Sequence, residues 1–291
     1  MIIFHQKRRY RTLFVLAVML SSMAVSVTCF GTASNAETGG KDEPPQQQDT
    51  SNETEEKYFN PETEQRLFEL SLGDERFAEV LDNYEQYPQY LLDALCVDPS
   101  LIELVTIYGS GYDPADCYIT LSELSQDIPL FIQWDTRWGY ARYGDDIIAN
   151  SGCGPTCLSM TAVGLTGNTL YTPYYIAEYA EEHGYYQNGV GTSWALFTEG
   201  SGEFGLNCEE LGKNKDTVFG RLAQGYPIIC SMIPGDFTDS GHFIVLTGVD
   251  KGMIRVNDPN SYENSERLWE YSELDWQIRN MWCVSKLPQI S

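Results

Sequence analysis

Beyond residue 120 the apolar residues change their spacing partway along the chain, and that change limits the possible folds more than any other feature. Over 155–165, 172–183 and 216–223 they recur at helical intervals. Over 227–233, 242–249, 253–256 and 281–284 they form short, nearly continuous runs of strand type, and 128–133 is a further candidate strand. Only Asp250, Lys251 and Gly252 separate two of these runs, and Gly252 can take positive φ, so a hairpin is expected there. Helices first and antiparallel strands afterwards define an α+β fold in which a central helix packs on a small sheet.

The 291 residues fall into four parts. In 1–36, Lys7, Arg8, Arg9 and Arg11 precede an apolar run from Leu13 to about Val27, the pattern of an export signal, and Ser34, Asn35 and Ala36 offer small residues for cleavage. The same run approaches the roughly 18 residues at which a retained membrane anchor becomes feasible, and Cys29 offers a third outcome, lipid attachment. Each outcome puts the rest of the chain outside the cytoplasm, secreted or anchored at the cell surface. Residues 37–57 contain no aliphatic or aromatic side chain and read as a polar tether. In 58–120, Leu67, Leu70, Phe77, Val80, Leu91, Leu95, Leu104 and Val105 recur at helical spacings, giving a small helical segment that serves as a separate binding module or as a lid. The main domain is 121–291.

A formal charge of -24 argues against a nucleic-acid partner, because phosphate backbones attract basic faces. Without residues 1–36 the chain carries 14 basic against 42 acidic side chains, or -28, so it will not hold to an anionic lipid surface by charge. Seven cysteines lie beyond residue 36: Cys96, Cys117, Cys153, Cys157, Cys208, Cys230 and Cys283. An odd number outside the cell leaves one thiol unpaired, with up to three disulfides among the others. Irregular spacing fits equally with small buried side chains. No C-x-x-C pair is present, so neither a zinc nor a redox motif is supported and no cofactor is called for.

Chemistry concentrates at three places. Cys153 stands in Ser151, Gly152, Cys153, Gly154, Pro155, Thr156, just ahead of a helix whose unpaired N–H groups and dipole favour a thiolate and can donate to an oxyanion. Cys157, one turn deeper, is the rival nucleophile but reads as a core residue. Two histidines lie beyond residue 36, and His183 has the setting of an exposed helix C-terminus. His242 instead heads the run Phe243, Ile244, Val245, Leu246 and is the candidate base. Asp258, in the turn Asn257, Asp258, Pro259, Asn260, is the candidate to orient that base, with Asn257 as its substitute. Gln133 is the candidate side-chain donor to an oxyanion.

Together these residues resemble the peptidase C39-like family of papain-like cysteine peptidases, most closely its extracytoplasmic bacterial members, over about 128–286. The resemblance implies Cys153 as nucleophile, His242 as base, Asp258 as third member and Gln133 as oxyanion donor. It differs from better-known members in the stretch from Trp134 to Gly152 that separates the Gln from the Cys. Members that process leaders after a double glycine are fused to an ATP-driven transporter, and this sequence has no G-x-x-x-x-G-K-[ST] loop. The implied activity is hydrolysis of a peptide or cell-wall peptide through a thioester acyl-enzyme. Two alternatives are a cell-wall amidase or acyltransferase using the same groups, and a non-catalytic binding protein on the same scaffold.

Overall fold

The segment ahead of the main domain is built from four short helices whose starts are encoded locally. Asn60 caps α1 (Pro61–Ser71) by accepting from the Glu62 N–H, and Asp74 caps α2 (Glu75–Asp82) by accepting from that of Arg76. Then follow α3 (Gln89–Val97) and α4 (Ile102–Thr106), separated by a turn that Asp98 caps. The computed structural model describes residues 60–108, 112–113 and 117–288. The expected export signal or anchor and the polar tether lie outside the described residues.

Leu67, Val80, Leu91, Leu95 and Val105 of these helices are fully buried, and they share one cluster with Tyr140, Ile147 and Ala149 of the main domain. The Tyr140 hydroxyl also donates to the Leu104 carbonyl, at 2.8 Å. Each large apolar side chain buried here contributes about 1.5–3 kcal/mol. The helical segment is therefore packed into the main domain through the stretch that leads to Cys153.

The main domain continues with α5 (Leu121–Leu124), a small hairpin of β1 (Arg142–Tyr143) and β2 (Asp146–Ile147), α6 (Ile148–Ser151), α7 (Cys153–Thr166) and α8 (Pro173–Glu182). After a second small hairpin, β3 (Tyr186–Gln187) and β4 (Gly191–Thr192), come β5 (Leu206–Glu210), α9 (Lys215–Ala223), β6 (Ile228–Met232), β7 (His242–Asp250) and β8 (Met253–Asn257). The last elements are α10 (Tyr262–Glu266), β9 (Leu268–Trp269), α11 (Tyr271–Asp275) and β10 (Ile278–Lys286). One six-stranded sheet has the order β5-β10-β6-β7-β8-β9, with every pair antiparallel.

Both faces of this sheet are covered, which explains why its strands read as continuous apolar runs instead of alternating ones. Ile229, Phe243, Val245, Trp282 and Val284 face α7 and α8 in one cluster; Ile228, Cys230, Ile244, Leu246 and Met281 face α9 and α11 in the other. The connection between β7 and β8 is tighter than expected. Asp250 pairs with Met253, leaving only Lys251 and Gly252, both at positive φ (52° and 78°), as a two-residue hairpin requires.

The expected strand at 128–133 does not form. Pro129 removes a ladder donor, and side chains take the segment's carbonyls instead. The Asn257 amide donates to Ile128 O and Pro129 O, and the Trp138 indole to Ile132 O. Cys96, Cys153, Cys157, Cys208, Cys230 and Cys283 are free thiols, so the three disulfides that the count allowed are not realised among the described residues. Cys208 and Cys283 lie on adjacent strands, but Cys208 is opposite Val284 and Cys283 opposite Glu209, so they point to opposite faces.

Candidate active site

Two glycines allow Cys153 its place as the first residue of α7. A Cβ on Gly152 would meet the Ile148 carbonyl oxygen at 2.6 Å, and one on Gly154 would meet the Thr192 side chain at 2.6 Å. The first lets the chain turn sharply from α6 into α7, and the second lets β4 close against the helix entry. Pro155 falls at the third helical position instead of the first, where its missing N–H is equally harmless because those groups have no intrahelical partner. Cys153 is half-buried, whereas Cys157 is wholly enclosed and burial pushes its thiol well above the ordinary range.

His242 opens β7, and Asp258 follows the last residue of the neighbouring β8. The His242 Nε2 lies 2.7 Å from Asp258 Oδ1. The Cys153 thiol lies beside the same ring and acts on it electrostatically. Since Nε2 is engaged by Asp258, Nδ1 is the nitrogen left for sulfur. Burial opposes a charge on the ring, but the bond to Asp258 and the neighbouring Cys153, with the charges of both, outweigh it and raise the His242 pKa to about 10. Cys153, His242 and Asp258 are thus brought into one chain of contacts.

Asp258 is completely buried, and its carboxylate is met by further donors. Oδ1 also accepts from the Asn260 N–H at 2.8 Å, and Oδ2 accepts from Asn264 Nδ2 at 2.7 Å. The Asp258 N–H donates to Ser265 Oγ at 2.9 Å, and that hydroxyl donates to Ser261 O at 2.8 Å. Asn264 is itself held in place: its N–H donates to the capping Ser261 hydroxyl, and its carbonyl accepts from the Trp269 indole. Sequence reasoning missed Asn264 and Ser265. The signal available was Ser261, a capping residue three positions before Asn264.

Asn257, the alternative to Asp258, is tied to the carbonyls of Ile128 and Pro129 and does not meet His242. His183 is exposed at the end of α8, stacked on Tyr179 with ring centroids 4.0 Å apart and with Nδ1 2.9 Å from the Tyr179 carbonyl oxygen. Gln133 is buried beside the site. Its N–H donates to Pro259 O at 2.7 Å, and its amide Nε2 donates to Ala149 O at 2.9 Å and Asn150 O at 3.1 Å. It therefore bridges the Asp258 turn to α6, immediately ahead of Cys153, across the intervening sequence. Both amide hydrogens are committed to carbonyls, and the buried Oε1 has no partner.

The model of the Peptidase_C39 like family matches residues 125–284. Among solved structures, this chain is similar to the peptidase domain of Streptococcus ComA, a bifunctional ABC transporter involved in a quorum-sensing pathway. That likeness has 21% identity and a TM-score of 0.40, and covers 55% of this chain and 98% of that one. It is also similar to a C39-like peptidase from Bacillus anthracis, at 15% identity and a TM-score of 0.36, covering 60% of this chain and 100% of that one. No curated protein matches.

Proposed function

The chain belongs to the Peptidase_C39 like family, with a peptidase-type function, and from that premise we propose an exported cysteine peptidase working through Cys153, His242 and Asp258. The observation that carries this reading is the single imidazole shared by Asp258, at 2.7 Å from Nε2, and the Cys153 thiol. Asp258 fixes the ring and its tautomer, so that the nitrogen facing sulfur can take and return a proton. A raised His242 pKa favours the imidazolium, the partner a thiolate needs beside it.

In the reaction, the Cys153 sulfur forms a bond to the carbonyl carbon of a peptide. His242 gives its proton to the departing amine as the C–N bond breaks, leaving a thioester. Water then attacks with His242 as base, releasing the acid and restoring the thiol. The Cys153 N–H at the helix entry is one oxyanion donor. Gln133 is the second, provided that one of its amide hydrogens leaves the carbonyl of Ala149 or Asn150 when substrate binds. The substrate is a peptide or cell-wall peptide outside the cytoplasm, to which residues 1–36 direct the chain.

Labelling by a thiol-directed activity probe, followed in parallel with hydrolysis of a peptide mixture, tests the assignment. Cys153→Ala should abolish both signals, and Cys157→Ala should keep both. Equal labelling of Cys153→Ala and the parent would end this reading. Export is tested separately, by amino-terminal sequencing of the protein recovered outside the cell.

A further inference from the structure

Trp134 directly follows Gln133, and while Phe131, Ile132 and Gln133 are buried, its indole is 36% exposed. Tyr262, 51% exposed, packs against it edge to face, with ring centroids 5.6 Å apart and planes at 84°. Two large rings left side by side at the surface forgo burial that a core position would reward, and exposed apolar surface of this kind next to a reactive group marks a contact. The pair is fastened to the site. The Trp134 indole N–H reaches the Asn260 carbonyl at 3.4 Å, and the Asn260 N–H is one of the donors to Asp258.

The guanidinium beside the rings is already held by carboxylates. Arg137 forms ion pairs with Glu123 at 2.7 Å and Asp135 at 2.8 Å. What the surface offers is therefore aromatic area beside one net negative charge, a single guanidinium standing against two carboxylates. Its side of the cleft follows from the chemistry. The acyl half of a substrate stays on Cys153, whose helix entry packs against Thr192 through Gly154, with Trp194 two residues further on. The amine half departs beside the proton donor, His242, and the Trp134–Tyr262 surface is anchored to the loop of the Asp258 that holds this donor.

We infer that Trp134 and Tyr262 form a subsite for the leaving side of the peptide and take an aromatic or large aliphatic side chain within the first two residues after the cut. This rests on the peptidase reading above. An aromatic ligand ring can stack on one of the two rings and meet the other at its edge, a contact that Gly, Ser or an acidic side chain cannot reproduce.

A random peptide library, digested and analysed by mass spectrometry of the new amino termini, reads this subsite directly. In the parent, Phe, Tyr, Trp and Leu should be enriched about fivefold or more over Gly and Ser at those two positions. Trp134→Ala and Tyr262→Ala should bring the ratio close to one, and Trp134→Phe should keep most of it. Should Trp134→Ala fail to fold, Tyr262→Ala, at a half-exposed position on a short surface helix, decides alone. No enrichment in the parent, or enrichment unchanged in the variants, overturns the subsite but leaves the peptidase reading intact. A parent that cuts no library member while Cys153 still labels overturns the peptide reading itself, and the subsite with it.

Discussion

The Nε2 atom of His242 stands 2.7 Å from Oδ1 of Asp258, the His242 side chain being only 6% exposed and that of Asp258 only 1%. A buried carboxylate is stable only when its oxygens are met by donors, and Asn264 Nδ2 with the Asn260 N–H supply the rest. Asp258→Asn preserves the shape but can fix the wrong tautomer of His242, so turnover should fall about 10³- to 10⁴-fold with folding retained. Steady-state kinetics with a circular-dichroism check measures this.

Asn264 holds the opposite oxygen of the same carboxylate. Asn264→Ala removes a hydrogen bond to a charged group, worth about 1.5–3 kcal/mol, and should lower unfolding free energy by that order. If Asn264 also keeps Asp258 aimed at His242, kcat falls more than KM rises and the pH profile of kcat shifts. A variant that loses stability with an unshifted profile limits Asn264 to a structural role.

The sheet was legible because covered strands leave continuous apolar runs, as at Phe243 to Leu246, and α7 because Leu158 and Ala162 repeat behind a Gly-rich entry. The segment around Pro129 was misread because its apolar residues imitate a strand, while its carbonyls are satisfied by the Asn257 amide and the Trp138 indole, partners remote in sequence or unmarked by any periodicity. Strand β5 was not anticipated: Asn207, Glu209 and Glu210 belong to a sheet edge and carry no apolar pattern. At the site, the order of Cys153, His242 and Asp258 was readable from local motifs. Asn264 was not, because its contact with Asp258 depends on α10 folding back beside β8.

Gln133 tests how the oxyanion would be held. Its amide now bonds Ala149 O and Asn150 O, so Gln133→Ala removes both a prospective oxyanion donor and a clamp on α6. A lost oxyanion donor costs about 10²- to 10³-fold in kcat. Gln133→Glu keeps the size but replaces the donors with acceptors facing two carbonyls, and it should be at least as damaging to kcat. If both variants lose only stability and keep kcat, the clamp is the sole role of Gln133.

His242 also links stability to pH. Its folded-state pKa is raised from 6.5 to about 10, so the folded state holds its proton more tightly than the unfolded chain. That contribution is fully present below about pH 6.5 and is lost as pH rises toward about 10. Urea unfolding from pH 6 to 10 should show a decline with a slope of at most about 1.4 kcal/mol per pH unit from this group. Cys153→Ala removes one of the two partners that raise the pKa, so the decline should become shallower and end at a lower pH. A decline unchanged in Cys153→Ala would mean that other groups titrate there.

The entry of α7 depends on close approach as much as on hydrogen bonding. Thr192 is buried in β4, its hydroxyl is 2.9 Å from that of Tyr143, and its side chain occupies the space that a Cβ on Gly154 would need. Gly154→Ala must push β4 away, breaking the Tyr143 contact, or rotate the first turn of α7. Overpacking of this kind costs about 1–3 kcal/mol. Because Cys153 is the neighbouring residue, the displacement should also reach the thiol. The expected result is a lower melting temperature together with a rate of Cys153 alkylation reduced at least about tenfold. The Thr192 Cβ itself lies 2.6 Å from the added methyl group, so only Thr192→Gly clears the space, and the double variant Gly154→Ala, Thr192→Gly should recover alkylation relative to Gly154→Ala alone. Failure of that recovery would show that the helix entry, and not β4, is what the added methyl group disturbs.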